Sequence, residues 1–222
     1  MKLLAVSDEE LPTIYSPQIK QRFADMHLVV GCGDLQFYYL EFIVSMLNKP
    51  LYYVPGNHDA RQQYLADGRT VTTAEGCLNI DDTVVFDPTH NLILAGLGGS
   101  IRYKPRSHNQ YSQFDMWRRV LKLAPRLTLN RFVRGRALDM LLTHAPAAGV
   151  HDEPDGVHDG FEAFHWVMRW FRPRYLLHGH AHRYRRDKVM RTWVEQTEVV
   201  NVHPYYVINW QRQGRRVEVR RR

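Results

Sequence analysis

Five short clusters of oxygen and nitrogen donors punctuate this sequence: Asp8-Glu9-Glu10, Gly33-Asp34, Gly56-Asn57-His58-Asp59, Thr143-His144 and Gly179-His180-Ala181-His182. Carboxylate, amide and imidazole donors in this mixture suit a pair of divalent cations such as Mn, Fe or Zn, and differ from the cysteine cage of structural zinc. Taken singly, each cluster is weak, because a lone Asp after a strand commonly turns or caps a loop. The combination is not explained by turns. Gly33, Gly56 and Gly179 stand immediately before donor residues, where a Cβ would crowd a site.

Such donors need elements that bring them together. Residues 2–6, 27–30 and 51–54 read as buried strands, and 17–24 and 37–47 as helices between them, a βαβ alternation. Asp8, Asp34 and Asn57 each follow one of these strands, so three clusters should meet at the carboxyl ends of a parallel sheet. In the middle, 83–86 and 92–95 read as paired strands, 96–100 as a glycine-rich turn, and 111–133 as a helix that Pro125 should interrupt. The pattern then repeats: a strand over 137–142 ends at His144, a helix covers 161–171, and a strand over 175–177 ends at His180 and His182. Runs over 198–202, 205–210 and 216–219 read as antiparallel strands closing a second sheet. Trp166 and Trp170, at i and i+4, mark a helix face packed on a sheet.

With 222 residues, 44% of them hydrophobic, the chain can bury one core and reads as a single domain over 1–222. Lys and Arg number 30 against 23 Asp and Glu, a balance that admits phosphorylated ligands, nucleic acid or an acidic membrane surface. Six arginines in 212–222 concentrate that excess, and read as a solvated tail. Cys32 and Cys77 form no C-x-x-C pair or disulfide framework, which fits a reducing compartment. Residues 1–6 are too few for a signal-peptide core, and no run approaches the roughly 20 apolar residues that span a bilayer. A cytoplasmic protein with no membrane partner is expected.

The ordered clusters from Asp8 to His182 resemble the signature of the calcineurin-like metallophosphoesterases. The approach Pro173-Arg174-Tyr175-Leu176-Leu177-His178-Gly179-His180 is similar to that of bacterial members. The resemblance implies an α/β fold, a four-layer αββα sandwich of two mixed β-sheets flanked by helices. It also implies two divalent metal ions, with Asp8 and His182 on one, Asn57, His144 and His180 on the other, and Asp34 bridging. Metals bridged in this way lie about 3.5–4 Å apart and generate a hydroxide for in-line attack at phosphorus. His58 is the candidate donor to the leaving oxygen. Asp59 is placed to orient it, with a structural or capping role the competing assignment.

One position departs from the family pattern, which begins Asp-x-His: Glu10 stands where a histidine ligand is expected. A ligating Glu10 reduces the net charge of the dimetal site from about +2 to about +1, which favours Mn, or Mg, over softer ions and weakens the activation of water. Hydrolysis of a small phosphoester is the leading expectation, a diester ahead of a monoester, with a nucleotide among the substrates the site would admit. A phosphoesterase fold that binds without turnover is the alternative, carried by Glu10 alone. Nucleic-acid processing is less favoured, since the arginine-rich end accounts for much of the basic balance. Beside the glycine-rich turn, Arg106 and His108 lie in a basic loop able to approach a substrate phosphate. The remaining histidines, His27, His90, His151, His158, His165 and His203, match no motif and read as structural or exposed.

Overall fold

Strands whose successive side chains point to opposite faces can serve two layers at once, and this chain uses that property throughout. In the computed structural model, residues 1–64, 68–153, 155–181 and 190–210 are described. Along the chain they form β1 (Lys2–Val6), α1 (Ile19–Arg22), β2 (Leu28–Cys32), α2 (Phe37–Leu47), β3 (Leu51–Val54), β4 (Gln63–Tyr64), β5 (Thr70–Val71), β6 (Leu78–Asn79), β7 (Val84–Asp87) and β8 (Leu92–Leu97). There follow β9 (Ser100–Ile101), β10 (Gln110–Tyr111), α3 (Gln113–Arg134), β11 (Met140–Thr143), α4 (Ala163–Phe171), β12 (Tyr175–His178), β13 (Arg191–Val194), β14 (Thr197–Asn201) and β15 (Tyr205–Asn209).

Two mixed sheets result, of five strands in the order β15-β1-β2-β3-β6 and six in the order β13-β14-β12-β11-β8-β7. From β1, Leu3 and Ala5 join Leu28, Val30, Leu94, Met140, Leu142 and Leu177 in the core between the sheets. Leu4 and Val6 face the other way, onto Ile19, Tyr39, Leu40 and Ile43 of α1 and α2. The second sheet divides in the same manner, with Ile93, Leu141 and Leu176 packed under Val120, Leu123, Phe164 and Val167 of α3 and α4. Three buried interfaces thus separate four layers, the expected αββα sandwich. Removing this much apolar surface from water is the main force holding the layers together. No helix among the described residues is long and apolar enough to cross a membrane.

Three details differ from the sequence reading. Pro125 lies inside α3 without interrupting it. The cost of the missing N–H is met by a Ser112/Asp115 capping box, a left-handed Gly135 at the other end, and buried Met116, Val120, Leu123 and Leu127 on both sides of the proline. The carbonyl that Pro125 leaves unbonded belongs to Leu121, which is exposed to water. Secondly, the last strands do not close one sheet together. β14 runs parallel to β12 in the second sheet, whereas β15 crosses over and pairs antiparallel with β1 in the first. Finally, Gly96 lies within β8 rather than in a turn, because a Cβ there would meet the Ile80 carbonyl at 2.4 Å, an approach only glycine permits. The expected strand over 216–219 and the arginine-rich end lie outside the described residues.

Candidate metal centre

Every donor cluster sits where a strand ends. Asp8 follows β1, Asp34 follows β2 and the 56–59 loop follows β3, all on the first sheet, while His144 and His180 follow β11 and β12 on the second. Both sheets therefore contribute to one rim. Ligand atoms of Asp34, His144 and His180 lie within 4.8 Å of one another. Asp34 Oδ2 is 3.3 Å, and Asn57 Oδ1 2.9 Å, from His144 Nε2. His182 lies outside the described residues.

The backbone is shaped for this convergence. Asp8, Asp34 and His180 have φ of 64°, 55° and 62°, left-handed conformations that cost a non-glycine residue on the order of 1 kcal/mol each. Specific bonds hold them there. His180 N donates to both carboxylate oxygens of Asp8, at 3.0 and 3.1 Å, and Asp8 N donates to the Gly33 carbonyl at 3.1 Å. A Cβ on Gly56 would stand 2.0 Å from Asp34 Oδ1, and one on Gly179 2.3 Å from Asp8 Oδ2. A side chain at either position would displace a donor.

The polarity of the bonds shows what the site is built to accept. His144 is fully buried, and its Nδ1 donates to the Cys32 carbonyl at 2.8 Å. Its Nε2 then faces the oxygens of Asp34 and Asn57. Asn57 presents Oδ1 to His144, while its Nδ2 donates to the Tyr103 hydroxyl at 3.2 Å. A neutral imidazole would oppose lone pair to lone pair; a proton or a cation must intervene. Burial pushes the His144 pKa down, but the charge and hydrogen bond of Asp34 outweigh it and raise the value to about 10. A cation with imidazole, carboxylate and amide ligands meets the same demand, since metals compete with protons for these lone pairs. His180 is prepared differently. Its Nε2 donates to the Val157 carbonyl at 3.0 Å, which leaves Nδ1 as the lone-pair nitrogen. Burial, then the neighbouring His144 charge, lower its pKa to about 3 and keep the ring neutral. These residues fit a divalent metal.

Glu10 has a different setting. Its Oε2 accepts from the Tyr38 hydroxyl, while its Oε1 is buried with no hydrogen-bond partner among the described residues. A buried carboxylate oxygen without a donor is costly, and a cation would satisfy it. Glu10 is nonetheless not in the set that converges with Asp34, His144 and His180.

Around these donors, His58 N donates to Asp34 Oδ1 at 2.8 Å, and the exposed His58 side chain stands on the rim. Burial raises the Asp34 pKa, but His144, then the His58 amide and ring, hold it well below the usual carboxylate range. Asp59 Oδ2 accepts from Gly56 N at 2.7 Å and Asp34 N at 3.1 Å, so this carboxylate braces two donor loops. Burial, followed by the Asp34 charge, raises the Asp59 pKa to about 6. His108 Nε2 donates to the Asp59 carbonyl at 2.8 Å, and Asn109 Nδ2 to that of Gly56 at 3.0 Å. The basic loop is thereby pinned to the 56–59 loop, with Arg106 exposed on it. Sequence reasoning did not anticipate Tyr103 or the carbonyls of Cys32 and Val157 as supports. Nor did it place His158, whose ring lies 4.9 Å from that of His180, beside the centre.

A sequence model of one family, calcineurin-like phosphoesterase, matches residues 24–184. One solved crystal structure superposes with a TM-score of 0.62 over 93% of this chain and 94% of its own, at 15% identity. TT1561 of Thermus thermophilus superposes with a TM-score of 0.56 over 90% of this chain and 88% of its own, at 14% identity. At such identities the likeness is one of fold. No curated protein sequence matches the chain.

Proposed function

Because this chain belongs to the calcineurin-like phosphoesterase family, a family of metal-dependent phosphoesterases, we propose that it hydrolyses a small phosphoester, a diester ahead of a monoester. The observation that carries the reading is the convergence of Asp34, His144 and His180 within 4.8 Å, with the Asn57 amide oxygen presented to His144. In this reading Asn57, His144 and His180 hold one divalent ion, Asp8, Glu10 and His182 hold a second, and Asp34 serves both. The ions supply the positive charge that activates water and neutralises the phosphoryl oxygens. Mn is the favoured metal, because Glu10 adds a hard carboxylate ligand.

The chain's own groups do the rest. His58 donates a proton to the leaving oxygen, from the rim beside Asp34. Asp59 keeps the loops bearing Asp34 and Asn57 in fixed relation through its two amide bonds. Tyr103 keeps the Asn57 oxygen, rather than its nitrogen, turned inward. Purified protein should contain bound divalent metal by mass spectrometry and turn over bis(p-nitrophenyl) phosphate with added Mn²⁺. Chelation should abolish that activity and Mn²⁺ restore it. Protein that retains metal yet turns over neither aryl diesters nor aryl monoesters would contradict the proposal.

A further inference from the structure

A second charged cavity adjoins the candidate centre, and the chemistry above makes no use of its cations. It is a cleft of about 580 Å³ between the 107–111 segment and the first turns of α3. His108 and Asn109 line it and also bond the 56–59 loop that carries Asn57. Cleft and centre therefore share a wall.

The cations lining the cleft fall into two groups. Arg119 is buried and fully engaged: its guanidinium donates to Asp82 Oδ1 and Asp81 Oδ1 at 2.6 Å each and to the Gly98 carbonyl at 2.7 Å, and lies 4.0 Å from the centre of the Tyr111 ring. Arg102 is paired with Asp115 at 2.9 Å, and Lys122 with Asp82 at 3.7 Å. Arg61 and Arg118 are different. Both line the cleft, both are exposed, and neither has a carboxylate partner among the described residues. Guanidinium forks free of carboxylates match the oxygens of a phosphate, and a concave site with excess positive charge concentrates anions. A phosphate undergoing attack at the metal centre cannot also occupy this cleft, so what the cleft would take is a second one.

We propose that Arg61 and Arg118 form a second-phosphate subsite, and that the substrate is a small molecule bearing one phosphate besides the ester that is cleaved. The proposal rests on the phosphoesterase reading for its biological sense, but its test does not. Calorimetric titration of the purified protein, without added metal, compares adenosine 3′,5′-bisphosphate with adenosine 5′-monophosphate as probes. The wild type should bind the bisphosphate at least about tenfold more tightly. In an Arg61→Ala/Arg118→Ala variant that advantage should shrink to within about twofold. A Lys20→Ala/Arg126→Ala variant removes equal charge from exposed positions outside the cleft and should keep the advantage. Equal affinities in the wild type, an advantage that survives loss of the two arginines, or one lost equally in the control would each overturn the subsite. Oligothymidylate binding far more tightly than the bisphosphate would overturn the small-molecule assignment in favour of nucleic acid. Binding is read without turnover, so an inactive protein leaves this question decidable, and failure here leaves aryl-ester hydrolysis untouched.

Discussion

The two sides of the candidate centre are built by different means. On the Asn57/His144/His180 side each candidate ligand is fixed by a bond from the group it would not offer: Tyr103 holds the Asn57 nitrogen, the Cys32 carbonyl holds His144 Nδ1 and the Val157 carbonyl holds His180 Nε2. On the Asp8/Glu10 side, Asp8 is fixed by the His180 amide, but only one Glu10 oxygen is held, by a tyrosine hydroxyl, and the other is buried without a hydrogen-bond partner among the described residues. Outer hydrogen bonds set the orientation and basicity of metal ligands. The first side should therefore bind a metal tightly and the second more weakly, with Asp34 joining them.

Asp34→Asn removes the shared carboxylate and should have the largest effect, a fall in kcat/KM of about 10³-fold or more together with loss of bound metal. Substantial retention of both would show that the two sides do not depend on a common ligand. Glu10→Gln should be milder and selective: one metal per chain is kept, the second is lost, and activity falls by about 10- to 100-fold. Elemental analysis alongside kinetics separates this from general damage. Glu10→His should move the metal preference from Mn toward Zn or Fe, and unchanged preference and rate would remove Glu10 from the site. Tyr103→Phe leaves the ring but frees the Asn57 amide, and about a 10-fold loss of kcat with the fold intact by circular dichroism is expected. Smallest is the effect of Asp59→Asn on stability. Weakening its two backbone bonds should cost about 1 kcal/mol and lower Tm by about 2–4 °C, measured calorimetrically on the metal-free protein.

What was legible in the sequence follows the same division. Donors at strand ends were readable because an apolar run followed by a polar donor fixes both the element and the place of the donor, and Asp8, Asp34, Asn57, His144 and His180 are brought together at one rim, whereas Glu10 is not in the converging set. The layers came from the family resemblance and not from the residues: Leu3, Leu4, Ala5 and Val6 form one unbroken apolar run, and only the structure divides them between two cores. The supports were not readable. Tyr103 is 46 residues from Asn57, and two of the other anchors are backbone carbonyls, which carry no side-chain signature. Pro125 misled because propensity is local, while the packing of Val120, Leu123 and Leu127 under the second sheet is not. The cleft beside the centre was equally hidden: Arg61 and Arg118 are joined only by the fold.

The central claim, that a metal pair lies where the two sheets end, is tested most directly by anomalous scattering from a crystal grown with Mn²⁺. Two anomalous peaks are expected within bonding distance of Asp34, one also touching Asn57, His144 and His180, the other Asp8. Full Mn²⁺ loading with no peak at Asp34, or with peaks only at the neighbouring Glu153, Asp155 and His158 cluster, would contradict the account.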